Sequence, residues 1–209
     1  VEQRIATAAK RAGRNPHDIK LVVAGKYADA PTTLQAIKAG VKIIGENREQ
    51  ALKQKFTVIG NKVDWHFIGN LQTNKVKSII KMVSIIHSVN SFHLAQAIDK
   101  EAGKINKVMP ILIEVNTSEE TSKSGISPSQ VPNLVSECKL LKHIKVTGLM
   151  TMGALVDNPE NNRRHFVTLK KLADRFKLPE LSMGTTQDFE VAIEEGATMV
   201  RIGSAIFHG

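Results

Sequence analysis

Leu21-Val22-Val23-Ala24-Gly25-Lys26 is an apolar run of strand length that breaks on a glycine and then a lysine. Runs of the same kind recur at residues 42–45, 64–68, 83–87, 108–115, 145–150, 181–183 and 199–202. Short runs that are apolar on both faces suit strands of a parallel sheet covered by helices. Between them lie amphipathic stretches of helical period, near residues 31–40, 48–56, 72–82, 92–103, 128–141, 160–176 and 188–195. An alternation repeated eight times within 209 residues predicts an α/β fold, a single (β/α)8 TIM-type barrel. Residues 1–13 carry Ile5, Ala8, Ala9 and Ala12 on one stripe and read as an extra N-terminal helix. The seven residues from Gly203 to Gly209 are too few for a full helix after the last strand; either the N-terminal helix covers that gap or the sequence is a piece of a longer chain.

A barrel of this type puts its chemistry in the loops after the strands. Those loops read Lys26, Glu46-Asn47, Gly69-Asn70, Ser88, Asn116-Thr117-Ser118, Thr151, Gly184-Thr185-Thr186 and Gly203-Ser204. The loops at residues 116–127 and 153–162 are the longest, and long loops in compact domains tend to carry function.

Composition narrows the classes. No apolar run is long enough to span a bilayer as a helix, and the first residues lack the apolar centre of a signal peptide. The lone cysteine, Cys138, suits a reducing, cytoplasmic setting and reads as a buried bystander. The net charge of +9 favours anionic ligands, but the lysines are spread over nearly every helix, and aromatics make up only 4% of the chain. Neither a base-stacking platform nor a basic tail is evident, so no specific nucleic-acid or membrane partner is expected. Seven histidines include no pair at metal-ligand spacing, and no metal is expected.

A lysine finishing the first strand is expected to place its amine in the barrel mouth, where desolvation would free it to attack a carbonyl. The alternative is a lysine that reaches out to solvent. Gly184-Thr185-Thr186 precedes a helix and Gly203-Ser204 follows the last strand. Turns of this kind after strands seven and eight are where barrels usually bind phosphate. Arg201 lies inside the last run, where a charge is costly unless it is paired or meets a ligand. If inward, it faces the position where a pyridine cofactor would present its ring nitrogen; if outward, it forms a salt bridge. His66 is open between a wall of the site and a hydrogen-bonded core histidine. Lys123 is open between a secondary aldehyde trap and a solvated side chain.

Trp65-His66-Phe67-Ile68-Gly69-Asn70-Leu71-Gln72-Thr73-Asn74-Lys75 resembles the WHFIG-x-LQ-x-NK signature of the pyridoxal phosphate homeostasis proteins, the YggS/PROSC family. The resemblance extends over nearly the whole chain. Gly45-Glu46-Asn47 is similar to the family's GEN, and residues 115–125 to its VNxSxExxKxG segment. Gly148-Leu149-Met150 is similar to its GLM, and residues 181–189 and 200–207 to its two closing motifs. It implies a barrel like the N-terminal domain of alanine racemase, spanning 1–209 as one domain that binds pyridoxal 5'-phosphate (PLP). It implies a Schiff base on Lys26, with Asn47 near the ring and Arg201 near the pyridine nitrogen; His66, open as above, is a further cofactor-binding candidate. The phosphate would sit on Ser182, Gly184, Thr186, Gly203 and Ser204.

The implied role is vitamin B6 homeostasis by a PLP carrier or regulator, expected to be a monomer, with PLP-dependent apo-enzymes as partners. The alternative is a PLP-dependent amino-acid racemase or a related enzyme of weak activity. A racemase needs a second proton-transfer group opposite the lysine, and the only tyrosine, Tyr27, is tethered beside Lys26. The chain departs from the family pattern at Gly25 and Tyr27, where a serine and a threonine usually flank the lysine, and at Ala28, usually basic. It departs again at Thr185 and in its ending, Phe207-His208-Gly209.

Overall fold

The computed structural model describes residues 1–118, 120, 123–154 and 156–207. His208, Gly209 and four further residues (Glu119, Thr121, Ser122 and Leu155), on which some of the motif matches fall, lie outside the described residues. Eight parallel strands close into a barrel in sequence order: β1 (Lys20–Ala24), β2 (Ile43–Glu46), β3 (Asp64–Phe67), β4 (Ile85–Val89), β5 (Met109–Glu114), β6 (Ile144–Met150), β7 (Glu180–Ser182) and β8 (Met199–Ile202). Closure is made by β1 on β8, with Val22 opposite Arg201. The helices are α1 (Glu2–Arg11), α2 (Ala30–Lys38), α3 (Glu49–Ile59), α4 (Val76–Ile79), α5 (Phe92–Gly103), α6 (Val131–Cys138), α7 (Arg163–Phe176), α8 (Phe189–Glu194) and the short α9 (Ser204–Phe207).

Alternation along the strands makes two cores. Outward residues such as Val23, Ile44, Trp65, Ile86, Ile113, Leu149 and Val200 pack under the helices. A smaller inner core holds Val22, Ala24, Ile68, Ile85, Leu112, Met150 and Met199. The extra helix α1 buries Ile5, Ala8 and Ala9. It is clamped to α8 through Arg4–Glu190 at 3.1 Å and Arg11–Glu194 at 2.8 Å.

Three departures from the expected elements have local causes. The helix expected at 72–82 is a 3-10 turn, Thr73–Lys75, followed by the single turn of α4. That stretch is rich in weak helix formers, and the Ser78 hydroxyl bonds back to the Lys75 carbonyl at 2.8 Å. The helix expected from 128 starts only at Val131, because Pro132 lacks an N–H and fits only the first turn. β4 begins at Ile85 rather than 83, since the Val83 N–H still bonds to the Ile79 carbonyl; Ser88, read as a loop residue, is therefore inside the strand and buried. Glu46 is likewise the last residue of β2 and fully buried, not part of a loop.

Candidate functional site

A cavity of about 330 Å³ opens at the C-terminal mouth of the barrel. It is of the size that small-molecule sites occupy. Lys26 reaches it from the end of β1, Asn47 from β2, Thr186 from the turn after β7, and Arg201 and Ser204 from β8 and beyond.

Lys26 does not sit in the desolvated position expected of it. β1 ends at Ala24, and the 3-10 turn Gly25–Tyr27 lifts the lysine to the exposed rim. Its Nζ lies 4.9 Å from the centroid of the Tyr27 ring, a cation–π arrangement. The ring in turn leans over Gly203, where a Cβ would come within 2.4 Å of it. Gly25 meets a different constraint: a Cβ there would lie 2.2 Å from Glu46 Oε1. That oxygen accepts from Lys55 Nζ at 2.5 Å, and Lys55 also donates to the Gly25 carbonyl at 2.6 Å.

Asn47 is half-buried, and its Oδ1 is a buried acceptor with no hydrogen-bond partner among the described residues. Such an atom is costly unless a ligand or water meets it. On the far wall the Ser204 hydroxyl donates to Thr186 Oγ1 at 3.1 Å. Gly184 holds φ at +90° in the tight turn that leads into α8, and its carbonyl accepts from the Arg201 N–H. Thr185 faces inward to Asp188, which accepts its N–H at 2.7 Å and its hydroxyl at 3.0 Å.

Arg201 points inward and is 4% exposed, so the outward salt bridge is not what this chain forms. Nη1 donates to Ser182 Oγ at 2.6 Å, and Nη2 donates to the Thr151 carbonyl at 2.8 Å and to Met152 Sδ at 3.0 Å. Burial pushes its pKa down to about 10, against the pull of Asp188 and Glu114, so it remains a cation near neutral pH. Ser182 is fully buried and is absent from the cavity wall; it lies behind Arg201. His66 is also off the wall. It is a core histidine, with Nδ1 3.0 Å from His87 Nε2.

His87, Glu114 and Lys55 carry no motif, and the sequence reading passed over them. The signal for His87 was parity: two residues beyond inward-facing Ile85, it faces inward too. Glu114 is 5% exposed, with Oε2 unpartnered among the described residues. Burial raises its pKa, only partly offset by Arg201. A carboxyl with a raised native pKa contributes stability below its unfolded pKa that is lost as pH rises through the folded value. Glu114→Gln should therefore raise the melting temperature over wild type progressively from pH 4 to pH 8 in scanning calorimetry. A gain that shrinks with rising pH would contradict it.

Lys123 is half-buried and lies outside the cavity wall. It donates to the Gly153 carbonyl at 2.9 Å and pairs with Glu120 at 3.1 Å, tying the two long loops together. Cys138 is buried, and burial pushes its thiol up to about 12, an unreactive setting. Among the described residues, no helix is long and apolar enough to cross a membrane.

Comparison with known proteins bears on this geometry. The family model for the alanine racemase N-terminal domain matches residues 3–209. A pyridoxal phosphate homeostasis protein of Aquifex aeolicus is 42% identical over 99% of this chain and 94% of its own length. A crystal structure of a Bifidobacterium adolescentis protein superposes with a TM-score of 0.93 at 36% identity, covering 99% of this chain and 91% of that one. PipY of Synechococcus elongatus, with PLP bound, superposes with a TM-score of 0.83 at 27% identity, covering 97% of this chain and 99% of that one.

Proposed function

This chain belongs to the alanine racemase N-terminal domain family and, within it, to the pyridoxal phosphate homeostasis proteins, and on that premise we propose that it binds PLP at the barrel mouth and serves PLP homeostasis. The observation that carries this is convergence. An exposed lysine, an unpartnered amide oxygen, a fixed buried guanidinium and a pair of hydroxyls meet on one cavity from four different strand ends. PLP supplies an aldehyde that condenses with a primary amine, a ring nitrogen and a phosphate, and the wall offers a partner for each.

Lys26 is the residue assigned to hold the aldehyde carbon as a Schiff base. Thr186, Gly203 and Ser204 are assigned to the phosphate, with Gly184 shaping the turn. Asn47 offers its free oxygen beside the ring. Arg201, a cation that can only donate, would face the pyridine nitrogen and keep it unprotonated. Ser182 and His66 act from behind Arg201 and do not touch the cofactor.

A carrier or regulator fits this wall better than a racemase. Guanidinium opposite the ring nitrogen makes the ring a weak electron sink, and Tyr27 shares the lysine's own turn rather than the opposite face. The rim position of Lys26 suits a site that takes up and releases its ligand, with PLP-dependent apo-enzymes as recipients. The protein is assigned to the cytoplasm, as a monomer whose one barrel carries the whole site.

The test is an absorbance spectrum of the purified protein with PLP, followed by borohydride reduction and peptide mass mapping. A visible band and one reduced pyridoxyl group on Lys26 are the expected result. A label scattered over surface lysines, with no discrete band, would defeat the assignment.

A further inference from the structure

A line of buried polar side chains runs through the inside of the barrel from the mouth toward the opposite end. Arg201 Nη1 lies 2.6 Å from Ser182 Oγ. Ser182 Oγ lies 2.9 Å from His87 Nδ1. His87 Nε2 lies 3.0 Å from His66 Nδ1, and His66 Nε2 lies 3.4 Å from Asp64 Oδ2. The four inner residues are each 4% exposed or less, whereas the Asp64 side chain is 49% exposed at the start of β3.

The chemistry of the donors leaves one direction for the whole line. Guanidinium has no acceptor, so Arg201 donates to Ser182. The serine's own proton then needs an acceptor, and in this fully buried position His87 Nδ1 is the one within reach. His87 must then carry its proton on Nε2 and donate to His66 Nδ1. His66, accepting at Nδ1, must then carry its proton on Nε2, which faces the Asp64 carboxylate at 3.4 Å. Reversing the histidines would leave the serine proton buried and unbonded and would set a bare imidazole nitrogen against a carboxylate. Each fault leaves a buried polar atom unsatisfied, which the fold resists.

We propose that Arg201, Ser182, His87 and His66 form a one-way hydrogen-bond chain through the barrel axis that ends against the Asp64 carboxylate, and that His87, His66 and Asp64 are positioning residues that hold Arg201 against the cofactor pocket from the far end of the molecule. The cofactor part rests on the reading of the mouth as the PLP site. The electrostatics agree with the geometry. Burial, reinforced by the Arg201 charge, keeps the His87 imidazole neutral, its pKa well below the usual value. Burial tends to raise the pKa of Asp64, but hydrogen bonds from His66 and Ser84 outweigh it, so the acceptor at the end of the chain stays ionised. In a low-dielectric interior such aligned bonds polarise one another, which lets a carboxylate at one face affect a donor at the other.

The tautomers are open to direct measurement in the ligand-free protein by long-range proton–nitrogen correlation spectra of the histidine side chains. His66 and His87 should both carry a proton on Nε2 and be bare on Nδ1. A proton on Nδ1 of His87 would overturn the chain without reference to any cofactor.

Asp64→Ala, at a half-exposed site, should shift the His87 nitrogen resonances and weaken PLP binding threefold to tenfold in equilibrium titration. Ser182→Ala should weaken it at least as much, and Ser182→Thr, which keeps the hydroxyl, should restore it. Unmoved His87 signals in Asp64→Ala, or moved signals with unchanged PLP affinity, would each defeat the positioning role. A wild-type protein that takes up no PLP would instead fail the reading of the mouth, leaving the tautomers to decide the chain by themselves.

Discussion

Lys26→Ala should abolish the borohydride-reducible adduct and weaken PLP retention on the order of a hundredfold. The estimate treats the covalent link and the pocket's other contacts as two anchors on one ligand, where the second anchor acts at high effective concentration. Asn47, Arg201, Thr186 and Ser204 remain in the variant, so weak binding without a visible band should survive. The fold should be unaffected, because Lys26 is exposed and its neighbours bury nothing on it except the Tyr27 ring contact. Melting temperature, measured beside the titration, separates loss of the site from loss of the protein. An adduct of undiminished yield in Lys26→Ala, mapped to Lys123 or to surface lysines, would remove Lys26 from its role.

Lys55→Ala should destabilise the native state by about 3–5 kcal/mol in denaturant unfolding. Lys55 and Glu46 are 6% and 0% exposed, and their ion pair also satisfies the Gly25 carbonyl. Removing the lysine leaves a carboxylate in the wall between β2 and α3 whose other oxygen, Oε2, already lacks a partner among the described residues. The double variant Glu46→Leu/Lys55→Met should recover much of the loss, since replacing both charges by apolar groups removes the unpaired one. The lysine turn rests on this pair, so Lys55→Ala should also loosen residues 25–27. A loss below about 1 kcal/mol for the single variant would show that water reaches Glu46.

Much of the architecture was legible before any coordinates. Eight apolar runs separated by helical stretches determine a parallel barrel, because strands buried on both faces leave a continuous apolar signature. Lys26, Asn47, Thr186 and Ser204, which line the mouth, stood in the loops after the strands, and Arg201 stood out as a charge inside the last run. Boundaries erred where local chemistry competed with pattern, as at Ser78 and Pro132.

What the sequence could not express were pairings across the barrel. His66 and His87 are 21 residues apart, and His87 and Ser182 are 95 apart. Nothing in either neighbourhood signals contact, because their meeting depends on closure between β1 and β8 and on the register of the strands between. The same holds for Lys55 beneath Gly25 and for Lys123 across two loops. Lys26 shows the limit from the other side. The chain places it after a strand, but a single 3-10 turn decides whether its amine is buried or at the rim. Periodicity and short motifs are both properties of neighbours in sequence; the first determined the fold, and the resemblance of the second pointed to the family. Burial, proton direction and the depth of each site residue are properties of neighbours in space, and only the folded barrel decided them.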